Sequence, residues 1–380
     1  MKNILIVKMS SIGDVIHALP VSYAIKETYP EAHLTWVVEP PAYDIVAMAA
    51  CVDEIIVFEK KKFRSLGGFL QNFAPLRKKI QARDYDAVLD LQGLFKSAAV
   101  AALAKAPKGQ KYGMWNMREG SKFVSKPVIG AHCHDHVIER YLDTARAIGC
   151  AVREVRLPIR VPEREQQLTR QIVAKAGANM DNAYVVLVVG ASWPTKCWPD
   201  GHFAVLGDWL YDHGIIPVLV GSGPVESQKA AEIAAKMDIP PIDLVGKLNF
   251  KQLAYLFQQS AAVVGGDTGP THLAVGIGAR TVMLMGPTYP RPHRSLRPDG
   301  QPARRGPRLP RVHEARLPAR SRLPRRHQAR TGRGEAQGPR AGARCRLHLK
   351  LKKSRTSRRK FPCTRISSSS TRCTSAISCS

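Results

Sequence analysis

The last quarter of this 380-residue chain has almost no aromatic residues and almost no acids. Residues 291–380 keep one of the 25 aromatic side chains, Phe361, and 3 of the 30 acidic residues, yet hold 26 of the 58 lysines and arginines. Of the formal charge of +28, residues 1–290 therefore carry only +5. That imbalance excludes reading the chain as one uniformly basic nucleic-acid-binding protein, and it excludes a core that runs through all 380 residues. A stretch so poor in large apolar groups cannot offset the entropy of ordering itself. Residues 291–380 are expected to form a disordered Arg/Pro/Ser-rich tail.

Other absences narrow the class further. None of the eight cysteines forms a C-x-x-C pair, and their spacing suits neither zinc nor a disulfide framework, which points to a reducing, cytoplasmic compartment. No apolar run approaches the ~18 residues of a membrane span. The run Ile4–Val7 is four residues long and is closed by Lys8, without a cleavage signal, so no secretory leader is read there. Any membrane association is expected to be peripheral. The first loop, Lys8–Asp14, holds one glycine where a dinucleotide fingerprint needs G-x-G-x-x-G, which argues against a nicotinamide cofactor.

Residues 1–290 are rich in short, continuously apolar and β-branched runs, each followed by a small polar turn and a helix-like stretch. The first series comprises residues 4–7, 34–38, 54–58 and 87–91; the second comprises 184–190, 216–221, 262–267 and 281–286. Strands alternating with helices imply βαβ units and parallel sheets. Two Rossmann-like α/β domains facing a cleft are expected, at 1–155 and 184–290, joined by a linker at 156–183. In doubly wound sheets ligands sit beyond the carboxyl ends of the strands, so the loops there are where chemistry is sought.

Four loops stand out. In Ser10-Ser11-Ile12-Gly13-Asp14, Asp14 opens a helix and is either a first-turn acid held by the helix dipole or a general base for an acceptor hydroxyl. His17, one turn on, reads as a partly buried helix residue. In Gly190–Asp200, small residues, hydroxyls and Lys196 precede a helix, which suits a phosphate or merely a solvated loop. Gly221-Ser222-Gly223-Pro224-Val225-Glu226 places an acid where ribose hydroxyls could bind. Gly265–Ala274 ends a strand in two glycines and an acid, then opens a helix with Gly269-Pro270, a diphosphate cradle with no Walker lysine or else a structural turn. Elsewhere, Lys60-Lys61-Lys62-Phe63-Arg64 and the following apolar and basic residues form a solvated face or a lip for an anionic, lipid-linked acceptor. His132, His134, Asp135 and His136 are read as polar loop contacts rather than as a metal site.

Ser10-Ser11-Ile12-Gly13-Asp14-Val15-Ile16-His17-Ala18-Leu19-Pro20, Ser192-Trp193-Pro194-Thr195-Lys196-Cys197-Trp198-Pro199 and Gly266-Asp267-Thr268-Gly269-Pro270-Thr271-His272-Leu273-Ala274, closing at Gly286-Pro287-Thr288, resemble the ADP-heptose:lipopolysaccharide heptosyltransferases, glycosyltransferase family 9. The resemblance covers about residues 1–290, and the opening motif is more like heptosyltransferase I than heptosyltransferase II. It implies a GT-B fold and an inverting transfer of L-glycero-D-manno-heptose, with no metal or other cofactor, from ADP-heptose to the 3-deoxy-octulosonic acid of the lipid A inner core. It further implies Asp14 as catalytic base; Ser192, Thr195, Lys196, Glu226, Asp267, Thr268, Gly269 and His272 as nucleotide-sugar contacts; and Ser10, Ser11, Gly13, Lys60, Lys61, Lys62, Arg64 and Arg118 as acceptor contacts. The place implied is the cytoplasmic face of the inner membrane, held peripherally, with no specific nucleic acid as partner.

The tail departs from the family pattern. A switch from Lys to Arg, with aromatics disappearing, is what a GC-rich gene gives when translated in a shifted frame, and it implies that the last elements of the second domain are missing. Two other readings stay open on the sequence: another nucleotide-sugar enzyme built from two Rossmann domains, and a nucleic-acid-binding protein whose Arg-rich tail tracks phosphates.

Overall fold

The computed structural model describes residues 1–191 and 193–285 in full and the backbone of residues 375–378. The first half contains β1 (Asn3–Val7), α1 (Ile12–Thr28), β2 (His33–Val38), α2 (Tyr43–Ala47), β3 (Glu54–Val57), α3 (Leu66–Ile80), β4 (Ala87–Asp90), α4 (Phe95–Leu103), β5 (Lys111–Gly113), β6 (Lys126–Pro127) and α5 (Val137–Ala147). After α6 (Glu163–Lys175), the second half contains β7 (Tyr184–Val188), α7 (Asp200–Asp212), β8 (Ile216–Val220), α8 (Pro224–Lys236), β9 (Ile242–Asp243), α9 (Phe250–Gln259), β10 (Ala262–Gly266), α10 (Gly269–Gly276), β11 (Thr281–Met285) and β12 (Ser375–Ser378).

Both sheets are parallel throughout. The first runs β3-β2-β1-β4-β5-β6 and the second β12-β11-β10-β7-β8-β9, so each half repeats the same doubly wound order. Helices on both faces bury the strands twice over, which is why their sequences are unbroken apolar runs rather than alternating ones. β4 and β7 are buried at every position. The order reverses between β1 and β4 and again between β7 and β10, and a crevice opens at each reversal. The loops that follow these four strands are the ones that can face a ligand.

The linker stretch holds α6, whose buried Thr169 and Val173 pack toward α9. Between the halves, α1 meets α10 at glycine. A Cβ on Gly269 would lie 2.8 Å from Ile12 Cγ2, and one on Gly13 would lie 3.0 Å from His272 Cδ2. The two helix N-termini can approach this closely only because those positions carry no side chain.

Most of the expected tail lies outside the described residues. The backbone of Ser375–Ser378 pairs in parallel with β11, Val282 opposite Ser375 and Met285 opposite Ser378. The edge of β11 offers unpaired N–H and C=O groups, and an extended segment can satisfy them whatever its side chains.

Candidate active site

Residues from the two halves line one cleft of about 630 Å³. On the first half the loop after β1 is fixed from behind. Gln92 Oε1 accepts from Met9 N at 3.2 Å and Ser10 N at 3.1 Å, while Lys96 Nζ donates to Ser10 Oγ at 2.9 Å and to Glu39 Oε1 at 2.5 Å. Ser11 is the extended N-cap of α1, so the helix begins at Ile12, two residues before the Asp14 read from the sequence. Asp14 then stands in the first turn, where its Oδ2 accepts from Ser11 Oγ at 2.9 Å and Ser11 N at 3.3 Å. It caps the helix and lines the cleft at once. The two readings of Asp14 are thus compatible, since a carboxylate fixed by its own helix keeps one face for a ligand.

On the second half, β7 leads into a 3₁₀ turn, Pro194–Lys196. Positions three apart eclipse in such a turn. Trp193 and Lys196 accordingly both line the cleft, whereas Thr195, between them, is exposed and does not. Lys196 Nζ lies 2.6 Å from Asp267 Oδ2, and His272 Nε2 lies 2.9 Å from Asp267 Oδ1. Bonding to the His272 imidazole, and after it to Lys196, holds the Asp267 carboxyl well below the usual carboxylate range, against the opposing effect of burial. Thr268 is the extended N-cap of α10, and the backbone N–H groups of Thr268 and Gly269 lie at the cleft. An ammonium and two converging helix N-termini are groups that attract an anion.

Glu226 enters the same cleft from the first turn of α8. The glycines of this region make room for it: a Cβ on Gly190 would fall 2.4 Å from Glu226 Cγ, and one on Gly221 would fall 2.9 Å from Glu226 Cβ. They are side-chain clearances rather than a dinucleotide fingerprint. Beyond Glu226 the cleft turns apolar at Val188, Val220, Leu244, Leu248 and Phe250, beside Asn249.

A family model for glycosyltransferase family 9 (heptosyltransferase) matches residues 73–304. The chain belongs to this family. It is similar to lipopolysaccharide heptosyltransferase 1 of Pseudomonas aeruginosa, 29% identical over 295 residues that cover 76% of this chain and 79% of that one. It is also similar to lipopolysaccharide heptosyltransferase 1 of Escherichia coli K12, 28% identical over 296 residues, 76% and 89% of the two chains. The solved structure of E. coli heptosyltransferase WaaC with ADP-2-deoxy-2-fluoro heptose superposes with a TM-score of 0.62 at 27% identity, covering 80% of this chain and 93% of that one. Membership makes the protein a glycosyltransferase with the two-Rossmann GT-B fold. It also sets aside the nucleic-acid alternative, which addressed only the residues beyond 290.

Most of the family-9 residues read from the sequence converge. Ser10, Ser11, Gly13, Asp14, Lys196, Glu226, Asp267, Thr268, Gly269 and His272 all line the cleft. Within that set His272 is turned to Asp267 and to the buried ring of His17, 4.6 Å between centroids, so it braces the cradle. Lys60, Lys61, Lys62 and Arg64 are exposed around the 3₁₀ turn before α3, and Arg118 is exposed in the loop after β5; none of the five lines the cleft. Ser192 lies outside the described residues. His132 Nδ1 is 3.0 Å from Asp143 Oδ1, and His136 caps α5 by accepting from Ile138 N. Trp193 stood in the second motif without a role, and Glu39, Leu244, Leu248 and Phe250 were not read from the sequence. Single residues brought in by tertiary contact leave no local pattern.

Proposed function

We propose that this chain transfers L-glycero-D-manno-heptose from ADP-heptose to the 3-deoxy-octulosonic acid of a lipid A acceptor, in assembly of the lipopolysaccharide inner core, and that it works at the cytoplasmic face of the inner membrane. The observation that carries this reading is one cleft, in a member of family 9, lined by Asp14 from one half and by Lys196, Asp267 and the α10 N-terminus from the other. The names of the related proteins support the sugar and the pathway.

In this reading residues 1–155 take the acceptor and the half from 184 takes the donor. Adenine occupies the apolar end at Leu244, Leu248 and Phe250, and Glu226 accepts from the ribose hydroxyls. Lys196 and the α10 N–H groups hold the diphosphate. Asp14 removes the proton of the acceptor hydroxyl as its oxygen attacks the anomeric carbon of the heptose from the face opposite the diphosphate. The carbon–oxygen bond to ADP breaks with inversion. Charge growing on the leaving phosphate meets an ammonium and a helix N-terminus, which act without a proton. No second carboxylic acid is required; Glu39, the other acid that the first half brings to the cleft, is already engaged by Lys96.

The acceptor is lipid-linked, and the surface of α3 fits its origin. Leu66, Phe69 and Leu70 are exposed there, beside Lys60, Lys61, Lys62 and Arg64. Apolar tips ringed by cations suit the boundary of an anionic bilayer. Among the described residues no helix is long and apolar enough to cross a membrane.

The test is transfer by the purified chain from ADP-heptose to lipid A bearing 3-deoxy-octulosonic acid, followed by product mass and ADP release. Asp14→Asn keeps the cap and removes the base, so turnover should fall about 10²–10⁴-fold with ADP binding retained. No transfer by the unmodified chain, or an Asn variant within a few-fold of it, would overturn the reading.

A further inference from the structure

Two helix pairs join the halves along the cleft. One is α1 against α10, next to the lining residues Gly13 and Gly269; the other is α2 against α9, next to the lining residues Ala42 and Phe250. At the second, Lys251 Nζ lies 3.4 Å from Asp44 Oδ1 and 5.6 Å from the centre of the Tyr43 ring. One ammonium in the first turn of α9 is thus gripped by two consecutive residues in the first turn of α2. Neither charged side chain is freely solvated, with 20% and 27% of their surfaces exposed. A pair so placed is screened less than one on the open surface, and an aromatic face within about 6 Å adds its own attraction. Both partners adjoin the cleft. Ala42 precedes Tyr43 and Phe250 precedes Lys251, and Pro41, Ala42, Phe250 and Leu253 all line it. The apolar end therefore has a wall from each half, and about 3.8 Å of chain separates each wall residue from its gripping neighbour. The α9 wall is anchored on its own side, where Glu165 of α6 accepts from Gln252 Nε2 at 3.0 Å. The opposite wall is the short 3₁₀ turn Pro40–Ala42, whose prolines have no N–H to donate. Lys251 reaches across to the residues that follow that turn.

We infer that Lys251 is a positioning residue for the nucleotide base: by gripping Asp44 and Tyr43 it holds the Pro41–Ala42 wall across the apolar end of the cleft, so that the base is enclosed by both halves rather than laid on one. This rests on the proposed place of adenine. A flat aromatic base gains from having both faces taken out of water, in proportion to the apolar area buried. The wall from the first half supplies a part of that burial which the phosphate contacts cannot. Apparent affinity falls when the enclosing arrangement is populated only part of the time. Loosening the grip therefore weakens whatever carries the base and spares what binds through phosphate alone.

The experiment titrates the full chain calorimetrically with ADP, AMP and inorganic pyrophosphate. Lys251→Met removes the ammonium at similar length, and Asp44→Asn removes the charge opposite it. Each should raise the Kd for ADP and for AMP by the same factor, about 3- to 10-fold, and leave that for pyrophosphate unmoved. Lys251→Arg should restore nucleotide binding, since a guanidinium pairs with a carboxylate and stacks on a ring. The double variant Lys251→Met/Asp44→Asn should lose no more than either single one, because both remove the same contact. Unchanged ADP affinity in folded Lys251→Met overturns the inference, as do losses that add in the double variant. A matching loss for pyrophosphate also overturns it and makes Lys251 a general brace of the fold. Phe250→Ala tests the place of the base separately. If ADP binding survives that change, the base lies elsewhere and the reading of the donor end fails, taking the inference with it. If Phe250→Ala weakens ADP binding and Lys251→Met does not, the base is in place and Lys251 has no hold on it.

Discussion

Lys196 gives the sharpest test of how the donor is held. Its ammonium has three donor directions, and one is taken by Asp267 Oδ2 at 2.6 Å. The remaining two are free to meet phosphate oxygens, with the side chain 24% exposed at the cleft wall. A charge-assisted hydrogen bond to a phosphate is worth roughly 1.5–3 kcal/mol. At about 1.4 kcal/mol per tenfold in affinity, Lys196→Met should raise the Kd for ADP about 10- to 150-fold. The lower half of that range is expected, because the carboxylate of Asp267 already offsets part of the lysine's charge. The same change takes one partner from Asp267 but leaves His272 at 2.9 Å, so the fold should survive. Calorimetric titration with ADP and with AMP separates the two effects. AMP has no terminal phosphate, and its affinity should fall less than that of ADP. Unchanged ADP binding in a folded variant would refute the assignment, and an equal loss for both nucleotides would show a collapsed loop rather than a lost phosphate contact.

Gly269→Ala places a methyl 2.8 Å from Ile12 Cγ2, a branched group with little room to yield, so the α10 N-terminus must move off α1. A loss of roughly 1–3 kcal/mol in urea-monitored stability and weaker ADP binding are expected; wild-type values in both would show that the seam is loose. A second expectation concerns acid. The Asp267 carboxyl is depressed below its ordinary 3.8 in the fold, so the unfolded chain takes up a proton first as pH falls. The stability that Asp267 supplies is complete above about pH 5 and is lost progressively through and below pH 4. Urea midpoints should fall more steeply with acid in the wild type than in Asp267→Asn, and parallel curves would mean that this carboxyl is not specially held.

Eight strands were legible because a parallel sheet buried on both faces demands an unbroken apolar run, and each run was found to within about two residues. The strands that escaped are β5, β6, β9 and β12, of two to four residues each. Lys111, Lys126, Ile242 and Ser375 open them, and none carries an apolar run long enough to announce a strand; they form because a neighbour's edge is waiting. The donor site was legible for a related reason. Doubly wound sheets put function in the loops at strand ends, and there are few such loops to choose among. Charge was harder to place. Lys60–Lys62 read as a solvated face or an acceptor lip and Lys8 as the residue that closes an apolar run, because a lysine next to an apolar run looks the same in sequence whether solvent or protein surrounds its ammonium. The folded chain separates them. The run at 60–62 stands exposed before α3, while Lys8, which had served only to close the apolar run, lies buried with its ammonium 5.1 Å from the centre of the Tyr141 ring. What distinguishes them is burial, a property of the whole fold that no local pattern of residues records.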